Sequence, residues 1–111
     1  MRLLSIIEIK SEIGAGTRGA SLGPDAIKVA ALNSGNDMFH KYRPQHVLTE
    51  NHLLNTPITT PWGKRISGLV RIYDRACKAV SSELEKDRFV LIMAGVHSTA
   101  GGTIAGIKKA Y

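Results

Sequence analysis

Phe89-Val90-Leu91-Ile92-Met93-Ala94-Gly95-Val96-His97-Ser98 is the stretch on which the fold reading turns. Six residues without a charge, stopped by Gly95, fit a strand buried on both faces, as in a parallel sheet. Asp87 and Arg88 turn the chain into it, and Gly95-Val96-His97-Ser98 is a tight exit. Thr99 to Ala110 then reads as a helix carrying Gly101, Gly102 and Gly106. Glycine costs about 1 kcal/mol relative to alanine inside a helix. Three of them point to close packing against the sheet or to a frayed element.

Upstream, Ile66, Leu69, Val70, Tyr73, Ala76, Cys77, Val80 and Leu84 fall at offsets 0, 3, 4, 7, 10, 11, 14 and 18. That spacing predicts one face of a long amphipathic helix. Residues 37–62 are less patterned. Val47-Leu48-Thr49 reads as a short strand, and Asn55-Thr56-Pro57 and Thr60-Pro61 mark a loop. Near the start, Leu3-Leu4-Ser5-Ile6-Ile7-Glu8-Ile9 is a second buried-type strand. The loop 14–23 comes next, and Pro24 with Asp25 signals a helix start. That helix runs through Ala26, Ile27, Ala30 and Ala31 to the Asn33–Asn36 turn. The order is strand, helix, weak strand, long helix, strand, helix. Such alternation predicts an α/β domain with a parallel sheet and right-handed crossovers.

The chain has 111 residues, with 43% hydrophobic and 22% charged. That suffices for one domain and excludes a second large one. Aromatic residues are only 5%, so the core depends on Ile, Leu, Val and Ala. A single cysteine, Cys77, excludes an internal disulfide and fits a reducing, cytoplasmic setting. No run approaches the roughly 18 apolar residues of a membrane span, and no signal-peptide pattern is present. The net charge is +6. Lys64, Arg71, Arg75 and Lys78 share one helix face, which reads as a solvated face. A nucleic-acid surface would call for interleaved stacking aromatics, and they are missing there.

Two loops lie where ligands bind in open α/β sheets, beyond the carboxyl ends of strands. Gly14-x-Gly16-x-x-Gly19 matches the dinucleotide fingerprint literally. In that motif the helix starts inside the glycine triplet, whereas here its signals come later, at Gly23-Pro24-Asp25. A mobile surface loop and a nucleotide-binding loop both remain open. The other loop sets His97 just past a buried strand. Neutral imidazole is the commonest metal-binding side chain, but a metal needs several ligands. His40, His46 and His52, six apart, read as surface residues. Ser98 lacks the Gly-x-Ser-x-Gly setting of a nucleophile elbow.

Together these residues resemble the arginase/agmatinase/formimidoylglutamase family, the ureohydrolases. Gly19-Ala20-Ser21-Leu22-Gly23-Pro24-Asp25-Ala26-Ile27-Lys28 looks like the family's Gly-Pro helix entry after the first strand. The segment 89–98 looks like its strand ending in Gly-Gly-Asp-His-Ser. Gly101-Gly102-Thr103-Ile104-Ala105-Gly106 is similar to the family's continuation beyond that signature, and 11–32 looks closest to bacterial arginase-like members. The resemblance covers nearly the whole chain. It implies a three-layer α/β fold with a parallel sheet, present as one partial domain over 1–111. It also implies two manganese ions that activate water against a guanidino or amidino carbon.

By the same resemblance His97 matches the family's first metal ligand, and no other ligand and no catalytic residue is assigned. Val96 stands where the family has Asp, which implies a weakened metal environment and altered packing of that loop. The family's Asp-Ala-His-x-Asp strand and later Asp-x-Asp pair do not occur here, and no acid follows Asp87. The expectation is a truncated ureohydrolase, inactive as an isolated chain. Its complete relatives would take a guanidino or amidino small molecule, with no nucleic-acid or membrane partner. Removal of a carboxylate-rich remainder accounts for the basic balance. The alternatives are a non-catalytic module pairing through an exposed sheet edge, as in a homo-oligomer, and a small nucleotide-binding domain using the Gly14–Gly19 loop.

Overall fold

The computed structural model describes residues 2–60 and 62–111. Met1 and Pro61, the latter part of the expected 60–61 loop, lie outside them. The strand β1 (Leu4–Ile9) leads to helix α1 (Leu22–Asn33) and the single turn α2 (Met38–Lys41). Then come β2 (Gln45–His46), a 3₁₀ turn over Asn51–Asn55, and the long helix α3 (Ile66–Glu85). The chain closes with β3 (Phe89–Ala94), a 3₁₀ turn over His97–Thr99, and α4 (Ala100–Ala110). The three strands form a parallel sheet in the order β2-β1-β3.

Period-two alternation divides the sheet into two faces. Ile7 and Ile9 of β1 and Val90 and Ile92 of β3 turn toward α3. There they meet Ile72, Ala76, Ala79 and Val80 in the main core. Ile6 and Glu8 turn to the opposite face, where Glu8 pairs with Lys28 of α1. Consecutive crossover helices thus lie on opposite faces. Right-handed connections require this when β2 and β3 flank β1 on opposite sides.

Several expectations shift in detail. The weak strand is Gln45–His46, two residues before the expected Val47–Thr49. Val47 donates its amide to the Glu8 carbonyl at 2.9 Å, and its side chain is buried in the core just past the ladder. Helix α1 begins at Leu22, so Pro24 sits in the first turn, where an amide would have no helical acceptor. The buried stripe of α3 is rotated from the expected one. Ile72, Ala76, Ala79 and Val80 face the sheet, while Ile66 and Val70 are exposed and Tyr73 lies against α4.

The glycines of α4 do mark close packing, but against α3 rather than the sheet. A Cβ on Gly102 would stand 2.8 Å from Tyr73 Cα, and one on Gly106 would stand 2.8 Å from the Cys77 carbonyl oxygen. Only glycine lets the two helices approach this closely. Helix α1 is different: Leu22, Ile27, Val29 and Leu32 are all exposed. Its links to the sheet include the buried Pro24 and the ion pairs Lys28–Glu8 and Asp25–Lys10.

Candidate functional site

With β2 and β3 on opposite sides of β1, the chain leaves β1 for α1 on one face of the sheet and leaves β3 for α4, packed against α3, on the other. That makes a switch point at the carboxyl end of the sheet, the usual place for a ligand crevice. The two loops singled out in the sequence meet there. A Cβ on Gly14 would collide with Ser98 Oγ, and one on Gly95 would lie 2.6 Å from the Ser11 carbonyl and 3.2 Å from that of Ala20. Glycine at both positions is what allows the β1 and β3 loops to touch. Ser11 Oγ and Ser98 Oγ are both buried at this contact, without a hydrogen-bond partner among the described residues.

The β1 loop is held from inside by Glu12, which is buried. Its Oε2 accepts from the Gly19 amide at 2.5 Å and the Ser21 amide at 3.2 Å, while its own amide donates to Asn51 Oδ1 at 2.7 Å. Those backbone donors, Gly19 foremost, hold the Glu12 carboxyl below the ordinary glutamate range, with a smaller contribution from Arg18. A carboxylate therefore already engages two amides of the glycine loop. Gly16 and Gly19 have φ of 72° and 121°, which the loop needs in order to wrap around it.

A second acidic centre lies beside it. Glu8 is 1% exposed, with Lys28 Nζ 2.7 Å from Oε2 and Lys10 Nζ 3.2 Å from Oε1. Lys10 also bonds Asp25 at 2.9 Å, and His46 Nδ1 is 3.9 Å from Glu8. The bond to Asp25 raises the Lys10 pKa and lowers that of Asp25. Of these groups Glu8, Lys10 and His46 border an open hollow of about 410 Å³, with Ser21, Val47 and Asn51. Glu50, also buried, receives Arg71 and Arg75 from α3, and the Arg71 bond keeps its carboxyl below the ordinary value. The basic stripe is the solvated face expected, with Lys64, Arg71 and Lys78 exposed, and its charges are paired: Arg71 and Arg75 with Glu50, Lys78 with Asp74 at 2.8 Å.

His97 opens the 3₁₀ turn after β3 and is exposed. It borders a hollow of about 190 Å³ lined by Ile92, Ala94, Val96, Thr99, Ala100, Thr103 and Ile104, with no carboxylate in that lining. Val96 is extended, and its carbonyl accepts from Thr99 Oγ1 at 3.1 Å, which starts the turn. The structure does not bring His40, His46 or His52 into the lining around His97. The last two lie instead beside the buried carboxylates Glu8 and Glu50.

A profile of the Arginase family matches residues 3–111. The chain belongs to the arginase family. The arginase of Brevibacillus brevis is 29% identical across 96% of this chain and 36% of its own length. The arginase of Bacillus caldovelox is 25% identical across 100% of this chain and 38% of its own length. The crystal structure of arginase from Bacillus subtilis superposes with a TM-score of 0.71 at 24% identity, covering 99% of this chain and 35% of that one. The three-stranded parallel sheet with its helices thus matches the arginase α/β fold. The chain spans little more than a third of the length of these relatives.

The residues present do not fit a manganese pair. A metal centre needs several ligands in fixed geometry. Among the described residues no three His, Cys, Asp or Glu side chains converge closely enough to hold an ion. The two lysines already neutralise the Glu8 and Asp25 carboxylates. Nor is any helix among the described residues long and apolar enough to cross a membrane.

Proposed function

We propose that this chain is the first sheet segment of an arginase-type hydrolase, that its one contribution to a metal centre is His97, and that alone it does not hydrolyse a guanidino or amidino C–N bond. The observation that carries this reading is the apolar, acid-free surround of His97 within an arginase fold. An exposed imidazole at the carboxyl end of a strand is suitably placed to donate a nitrogen to a metal. It cannot by itself fix a divalent ion or position a water for attack. Val96 adds an apolar side chain next to it, where an acid would assist. Activity would require the remaining ligands from further sequence or from another chain, and the substrate class would then be a guanidino or amidino compound.

The nucleotide reading of Gly14–Gly19 is less well supported. Glu12 engages the amides of Gly19 and Ser21, and a phosphate approaching them would meet that carboxylate.

A manganese titration of the purified chain, monitored by the electron paramagnetic resonance of free ion, tests the proposal. The expected result is weak binding of at most one ion, lost in His97→Ala. Tight uptake of two ions would overturn it.

A further inference from the structure

The sequence Lys64-Arg65-Ile66-Ser67 sets two cations and an apolar residue before a hydroxyl. No Asp or Glu occurs between residues 51 and 73, so the local sequence is basic. Kinases that phosphorylate serine in basic surroundings select it by charge pattern, with carboxylates that receive the cations two and three residues before the hydroxyl. Ser67 is exposed, as are Lys64 and Ile66. Neither Lys64 nor Arg65 has a carboxylate partner among the described residues. Arg65 is held by a long bond, from its Nε to the Leu53 carbonyl at 3.4 Å. Its φ is 58°, a left-handed conformation that costs energy in a residue with a side chain. The segment can thus be drawn out into an enzyme groove with little loss.

Three other serines follow a cation by three residues, and the fold withholds each. Ser5 lies in the central strand β1, in register with Val90. Ser81 is 3% exposed. Ser21 follows Arg18, but the Ser21 amide donates to Glu12 Oε2 at 3.2 Å, so a phosphate on Ser21 would be set against that carboxylate. At Ser67 the opposite holds. Ser67 and Arg65 line one hollow of about 140 Å³ together with Thr59, and no carboxylate lines it.

We propose that Ser67 is a phosphorylation site for a basic-directed serine/threonine protein kinase that uses a nucleoside triphosphate. The Ser67 Oγ attacks the γ-phosphorus, and the bond from that phosphorus to the β–γ bridging oxygen breaks. The nucleoside diphosphate leaves, and the hydroxyl proton passes to a carboxylate of the kinase. The product carries about −1.5 to −2 charges at pH 7. Ser67 is the second residue of α3, a 20-residue helix whose start has no side-chain cap and no acid in its first turn. The phosphate supplies that missing negative charge beside Arg65 and Lys64, where the helix dipole and the cations both favour it. Modification therefore fastens the start of α3. The proposal uses neither His97 nor a metal, so a failed manganese test leaves it standing.

Incubation of the folded chain with cyclic-AMP-dependent protein kinase and magnesium ATP, followed by intact and tandem mass spectrometry, tests it. The expected product gains one phosphoryl group, about 80 Da, located on Ser67 and absent in Ser67→Ala. Arg65→Gln should slow the transfer about tenfold or more, through loss of a charge-assisted contact to the kinase. The phosphorylated chain should melt about 2–6 °C higher than the unmodified one, with slower exchange at the Ser67 and Gly68 amides. Should Arg65→Gln fail to fold, site mapping on the parent chain decides. No incorporation into the folded chain would overturn the proposal. So would incorporation at Ser21 in place of Ser67, or a modified chain that melts no higher.

Discussion

Replacing Gly102 or Gly106 by alanine sets two helix effects against each other. Alanine is the better helix former by about 1 kcal/mol. The new Cβ at 102, however, would stand 2.8 Å from Tyr73 Cα and 2.9 Å from its carbonyl oxygen; at 106 it would stand 2.8 Å from both the Cys77 oxygen and Val80 Cβ. Comfortable carbon contacts begin near 3.5 Å. These neighbours are mostly backbone and Cβ atoms, so no rotamer change relieves the overlap, and α4 must move from α3 by roughly 0.7 Å. A gap of that size forfeits a quarter to a half of the dispersion energy of the contacts it opens. Overpacking costs about 1–3 kcal/mol; a clash with backbone and Cβ atoms that cannot rotate away falls in the upper part of that range, about 2–3 kcal/mol, so each substitution should destabilise by about 1–2 kcal/mol net of propensity. The corresponding fall in Tm is about 5–10 °C.

Gly23 is the internal control. A Cβ there meets nothing within 4 Å, so Gly23→Ala should stabilise by up to about 1 kcal/mol. Urea denaturation of the three variants, with the slope checked for constancy, measures the differences. Gly102→Ala and Gly106→Ala variants as stable as the parent would refute the close α3–α4 seam.

Glu12→Gln should speed hydrogen exchange at the Gly19 and Ser21 amides and leave the α3 amides unchanged. Because the folded Glu12 carboxyl is depressed, its contribution is complete above the ordinary glutamate value of about 4.3 and is lost as pH falls through the depressed one. The acid limb of the stability profile should therefore flatten in the variant; an unchanged limb would count against the clamp. Lys28→Met removes the closest partner of the buried Glu8 and should cost about 3 kcal/mol at neutral pH, read by the same denaturation. A neutral result would mean that Lys10 alone suffices.

Much of the fold is legible in the sequence because its signals are periodic. The uncharged run 89–94 and the spacing 66–84 each predict one element, and the structure has both within a residue or so. The choice of buried face on α3 is not legible, because Tyr73, Val70 and Ile66 are as apolar as the residues that face the sheet. Tertiary packing against α4 decides it. The meeting of Gly14 with Ser98 depends on strand order, which no local pattern encodes. The buried carboxylates Glu8, Glu12 and Glu50 also escape a sequence reading as a group. Glu8 carries one available signal, an acid inside an otherwise apolar strand, which by itself marks only an interruption of the apolar run. His97 stands out as a lone imidazole after a buried strand, and only the family resemblance gives it a role.

The central claim is that this chain presents an arginase-type sheet with one candidate ligand and no complete centre. The most direct test is arginine hydrolysis by the purified 111-residue chain with saturating manganese, beside His97→Ala. The account predicts no urea above the buffer blank from either protein. Sustained urea release by the unmodified chain, abolished in His97→Ala, would contradict it.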